Sequence, residues 1–217
     1  MQTLIKDGHV IDPANKIDGS FDILINNGKI EAVLPKGKSS ASKIKDVKVI
    51  DAKDCVVAPG FCDMHVHFRE PGHEYKETIE TGSASAAAGG FSTVAVMPNT
   101  FPVNDNRSVT ELIFSQAKKT SLVNIFPIGA ITNGLKGETL SDMGELKESG
   151  CIGYSDDGKP VMNSELMRRA LEYSRMFDLP CIQHSEILDL TLGGCMNEGI
   201  VSTELGLKGM PVEAEDI

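Results

Sequence analysis

Val57-Ala-Pro-Gly-Phe-Cys-Asp-Met-His-Val-His-Phe-Arg-Glu-Pro71 is the stretch on which the reading of this chain turns. Pro59-Gly60 punctuates the sequence, and the short apolar run that follows, 60–66, predicts a β-strand. His65 and His67 stand two apart, so on a strand both imidazoles project from one face. Arg69 continues along that face or lies just past it. Neutral imidazole is a good ligand for a borderline cation such as Zn²⁺, and two in register supply half a coordination shell.

Working outward toward the C-terminus, short apolar runs at 91–97, 122–128, 151–154 and 180–183 read as strands. Between them lie helical stretches at 75–88, 107–119, 141–148 and 164–177, the first closed by Gly89-Gly90 and the third opened by a serine cap at Ser141. Strands alternating with helices at this spacing imply parallel βαβ units. About five such units are present where a closed β/α barrel has eight, so the expected fold class is α/β with an incomplete TIM-type barrel. Toward the N-terminus the pattern is different. Runs at 3–11, 22–34 and 47–57 are rich in β-branched residues, and turns fall at Asp18-Gly19, Asn27-Gly28 and Lys36-Gly37. The expected organisation is a small antiparallel sheet module over 1–58 and a partial barrel over 59–217. A further helix begins in 211–217, an odd place for a domain to stop, so the expectation is the N-terminal half of a longer protein.

An isolated His-x-His is ordinarily a hydrogen-bonded pair at a strand end. Two more ligand-type residues at matching positions change that weighting. Asp157 follows the fourth barrel strand in Gly153-Tyr-Ser-Asp-Asp-Gly158, and His184 ends the fifth in Cys181-Ile-Gln-His-Ser185. Barrel chemistry is built at C-terminal strand ends, which is where these residues fall. Asp156 remains open as an alternative to Asp157, because spacing does not rank neighbours on a loop. Composition narrows the partners. A formal charge of −10 argues against nucleic acid, which needs a basic footprint. No run of about 18 apolar residues occurs and the N-terminus lacks a signal-type apolar segment, so a soluble cytoplasmic protein with no membrane partner is expected. Five widely spaced cysteines form neither a disulfide framework nor a metal knuckle, and reduced, mostly buried thiols are expected.

Asp63-Met-His-Val-His-Phe-Arg-Glu-Pro71 resembles the signature of dihydroorotases within the amidohydrolase superfamily, and the preceding 49–60 resembles that superfamily's passage from β-sandwich into barrel. Met97-Pro-Asn-Thr100 and Ser155-Asp-Asp-Gly158 are similar to the bacterial class I branch. The resemblance implies a zinc site of one or two ions that acidifies water for attack on the ring amide of dihydroorotate, the reverse of carbamoyl aspartate cyclisation in pyrimidine biosynthesis. It implies His65 and His67 as ligands of the first ion, Asp157 as the bridging carboxylate and His184 as a ligand of the second. Arg69 and Asn99 match the residues that hold the substrate carboxylate, a task suited to a guanidinium and an amide. The family's general acid/base lies in later strands, so little activity is expected of this chain alone. Two rivals stay open: a hydantoinase or allantoinase, which usually carries a lysine bridge, and a non-catalytic scaffold for aspartate transcarbamoylase. The partners implied are a small-molecule substrate, with a homodimer or a transcarbamoylase complex as the assembly. His9 and His73 have no assigned role.

Overall fold

The computed structural model describes residues 2–38 and 47–216. The chain divides into two compact units, Met1–Gly60 and Phe61–Ile217.

In the first unit, β1 (Gln2–Asp12), β2 (Ile17–Asn26), β3 (Lys29–Pro35), β4 (Val47–Asp51) and β5 (Val56–Val57) form one five-stranded sheet. Asn27 and Gly28, both at positive φ, close the β2–β3 hairpin where the sequence places it. The expectation of an antiparallel module needs correction. β1–β2 and β2–β3 are antiparallel, but β4 and β5 both pair with β1 in parallel. Alternation of apolar residues signals a strand without signalling its direction, and the single predicted run over 47–57 is two short strands. Among the described residues there is one sheet here, not a two-layer sandwich. His9 belongs to this unit, its Nε2 2.6 Å from Asp18 Oδ1 at the surface.

The second unit opens with β6 (Phe61–Val66), α1 (Ile79–Ala88), β7 (Phe91–Val96), α2 (Arg107–Thr120) and β8 (Asn124–Pro127). α3 (Met143–Glu148), β9 (Tyr154–Ser155), α4 (Ser164–Arg175) and β10 (Cys181–Ile182) follow. β6, β7 and β8 pair in parallel, as do β9 and β10, and a parallel bridge between Gly129 and Tyr154 links the two groups. The C-terminal half of β7 is buried on both faces. Val94 and Val96 join Phe68, Ile79, Val109, Ile113 and Ile125 in a core under α1 and α2. Ala95 and Met97 pack with Ile128 on the opposite face. A strand covered on both sides reads as a continuous apolar run, which is why Phe91–Met97 was legible. A third cluster, centred on Tyr154, Met143 and Leu146, seats α3 and α4.

Helix starts differ from expectation for local reasons. α1 begins at Ile79 because Thr78, itself extended, caps it in a box with Thr81, while Tyr75 and Lys76 lie in a turn. α3 is capped by Asp142, since the Ser141 hydroxyl donates instead to the buried carbonyl of Ala130. Beyond β10 come short elements only: α5 (Leu188–Thr191), β11 (Met196–Asn197), α6 (Ile200–Leu205), β12 (Gly209–Met210) and α7 (Glu213–Asp216). Among the described residues the strands do not close into a barrel, and no helix is long and apolar enough to cross a membrane.

Candidate metal centre

The parallel strands deliver their chemistry just past their C-terminal ends. β6 ends at Val66 with His65 inside it and His67 one residue beyond, β7 is followed by Asn99, and β9 by Asp157. A register irregularity between Asp63 and Val66 breaks strict alternation there, yet the two imidazoles still meet, with ring centroids 5.1 Å apart. His65 Nε2 lies 2.9 Å from Asp157 Oδ1, and His67 Nε2 lies 3.5 Å from Asp157 Oδ2. One ligand atom from each of His65, His67 and Asp157 falls within 4.8 Å of the others. Asn99 touches two of the three: its Oδ1 is 3.0 Å from His67 Nδ1, and its Nδ2 donates to Asp157 Oδ2 at 3.0 Å.

The turn after β9 separates two neighbouring carboxylates that spacing does not rank. Gly158, at φ 76°, allows the chain to reverse. Asp156, 2% exposed, accepts from the backbone N–H groups of Ile131 (2.7 Å) and Thr132 (2.9 Å) and from the Thr132 hydroxyl. Burial pushes its carboxyl up from the ordinary carboxylate range, and those hydrogen bonds oppose the rise. Asp157 is the one that faces the imidazoles.

The remaining expected residues fall elsewhere. His184 follows β10 but stands outside the His65–His67–Asp157 group. Its Nε2 is 3.2 Å from Glu186 Oε2, and Glu186 also accepts from the Thr191 hydroxyl at 2.7 Å. The Thr191 bond and His184 hold the Glu186 carboxyl below its ordinary range. His184 lines a cavity of about 540 Å³ with Glu186, Asn197, Glu198, Met210 and Glu215. Arg69 has left-handed backbone, φ 56°, and its guanidinium has no hydrogen-bond or ion-pair partner among the described residues. His73 lies edge-on to Tyr75 and tilted against Phe101 and takes no part in the cluster. Sequence reasoning did not find the link from Asn99 to both ligands, nor the partnership of Glu186 with His184; the first joins residues far apart in sequence, and the second has only proximity as its signal.

The donor set suits a cation. Two imidazole nitrogens and a carboxylate, all reachable from one point, match the nitrogen and oxygen ligands zinc takes in catalytic sites. Strand-end imidazoles and a carboxylate on a parallel α/β scaffold define the class: an α/β protein with a candidate metal-binding group. Comparison with known proteins agrees. A family model described as dihydro-orotase-like matches residues 54–217. This chain belongs to the dihydro-orotase-like family. It is 57% identical over 216 residues to the dihydroorotase of Geobacter metallireducens and 52% identical over 217 residues to that of Syntrophus aciditrophicus, in each case covering all of this chain and 50% of the relative. The chain thus spans about half the length of these relatives. Among solved structures, the L-hydantoinase (dihydropyrimidinase) of Arthrobacter aurescens superposes with a TM-score of 0.73 at 21% identity, over 87% of this chain and 41% of that one. A D-hydantoinase from a Thermus species gives 0.65 at 24%, over 87% and 41%. At those identities the likeness concerns the fold.

Proposed function

We propose that this chain carries the first metal-binding half of a zinc-dependent dihydroorotase, and that β6 to β10 form an arc of a β/α barrel. The observation that carries the reading is the meeting of His65, His67 and Asp157 at the C-terminal ends of parallel strands. The relatives named as dihydroorotases support the substrate, and the likeness to hydantoinases supports the barrel.

In this reading His65 and His67 present Nε2 to the cation and Asp157 presents its carboxylate. A bound divalent cation supplies Lewis acidity and a water activated at neutral pH. His184 becomes a ligand, as the family resemblance implies, only by exchanging Glu186 for the cation. Arg69 is the substrate-carboxylate anchor: a half-buried guanidinium with no protein partner among the described residues is available for bidentate pairing. Asn99 has one amide hydrogen left after its bond to Asp157 and can add a donor to the same carboxylate.

Calorimetric titration of the zinc-loaded chain with dihydroorotate and with hydantoin tests the substrate assignment, because only the first carries a carboxylate. The expected result is dihydroorotate binding at least tenfold tighter, a difference of about 1.4 kcal/mol that Arg69→Ala removes. Equal affinity for the two rings, unaffected by Arg69→Ala, contradicts it and favours a hydantoinase.

A further inference from the structure

Asn99 sits between two of the three ligand-type side chains, and their chemistry fixes which end of its amide faces each. Asp157 faces two imidazole nitrogens as well as the amide, and as a carboxylate it only accepts hydrogen bonds. The Asn99 end that faces it, at 3.0 Å, must therefore be the NH₂ group. That places the amide oxygen, which also only accepts, 3.0 Å from His67 Nδ1. Nδ1 must then carry a proton, so in the neutral ring Nε2, the nitrogen 3.5 Å from Asp157, is the one left with a lone pair for a cation.

We infer that Asn99 is a positioning residue that sets the tautomer and ring orientation of His67 and steadies Asp157, so that both present ligand atoms to one point. This deepens the metal-site reading above and rests on it. It is a different task from holding a substrate carboxylate, since it uses the amide oxygen and one amide hydrogen and leaves the other hydrogen for substrate. The placement is rigid. Asn99 follows Met97 and Pro98, both buried, and the next residue, Thr100, is 8% exposed, with its hydroxyl donating to the carbonyls of Pro98 and Pro102. Partners that orient a ligating imidazole through its second nitrogen ordinarily change metal affinity by roughly 10- to 100-fold when removed.

Two readouts on the wild-type chain and on Asn99→Ala decide the matter: Zn²⁺ affinity by competition with a chromophoric chelator, and long-range ¹⁵N NMR of the histidine rings. The expected result is a proton on His67 Nδ1 in the wild type, lost from that position in Asn99→Ala with His9 and His73 unchanged. Zinc affinity should fall roughly 10- to 100-fold. An unprotonated Nδ1 in the wild type overturns the inference whether or not the variant folds, and so does an Asn99→Ala chain with unaltered affinity and an unaltered His67 ring. A wild-type chain that takes up no zinc, yet loses the Nδ1 proton on Asn99→Ala, would sink the metal reading while leaving the hydrogen-bond assignment standing.

Discussion

Single residues carry the sharpest contrasts. Asp156 and Asp157 are chain neighbours of identical chemistry with opposite surroundings. Asp156→Ala leaves the N–H groups of Ile131 and Thr132 and the Thr132 hydroxyl without their acceptor in a buried site, so it should lower unfolding free energy by on the order of 3 kcal/mol. Asp157→Ala should cost less stability and instead abolish stoichiometric zinc uptake, since one of three ligand groups is gone. Urea denaturation and metal analysis of the two variants check the pair; interchanged effects would mean that the wrong aspartate has been assigned. The thiols give a second test. The sequence expectation of mostly buried cysteines holds only for Cys151; Cys181 is half-buried and Cys55, Cys62 and Cys195 are exposed. Burial pushes the Cys151 thiol up, away from the reactive thiolate. Three thiols should therefore react quickly with a disulfide reagent, and Cys151 only on unfolding. Of the three histidines that the sequence singles out, His65 and His67 meet beside Asp157 and His184 stands apart, because residue type and strand-end position do not say which side chains converge. Exposure was not legible, because Cys62 sits in an apolar run on a strand with only one hydrogen-bonded neighbour among the described residues.

At the scale of elements, two glycines hold the site's supports together. A Cβ on Gly72 would lie 1.9 Å from the carbonyl oxygen of Phe101, at a φ of 94° that side chains rarely adopt. That contact joins the loop after β6, which carries Arg69, to the loop after β7, which carries Asn99; the Phe101 N–H also donates to Pro71 O at 2.9 Å. Gly72→Ala should destabilise the chain by more than about 1 kcal/mol, measured by thermal unfolding, and should weaken zinc binding through displaced Asn99. Gly82 in α1 allows close approach of the Phe68 ring, whose Cδ1 would lie 2.4 Å from an added Cβ. Gly82→Ala should push Phe68 out of the core it shares with Ile79 and Val94, again moving the loop that follows His67. Alternation and helical period made the larger elements readable to within a few residues, and caps account for the misses, as at Thr78 and Asp142. The segment after β10 was not readable, because elements of two to six residues leave no period to detect.

For the molecule as a whole, alternating strands and helices predicted the mixed α/β character, and a run of parallel pairings from β6 to β10 bears it out. Sheet direction in the first unit was beyond the sequence, because it depends on which distant segment arrives alongside. The account stands on three side chains from two separated segments converging to hold one cation. X-ray absorption of the chain loaded with one equivalent of Zn²⁺ examines this most directly. The account predicts saturable uptake and a shell of nitrogen and oxygen scatterers near 2.0–2.1 Å with imidazole signatures, which disappear in His65→Ala/His67→Ala. Absence of saturable uptake, or a shell dominated by sulfur near 2.3 Å, would contradict it.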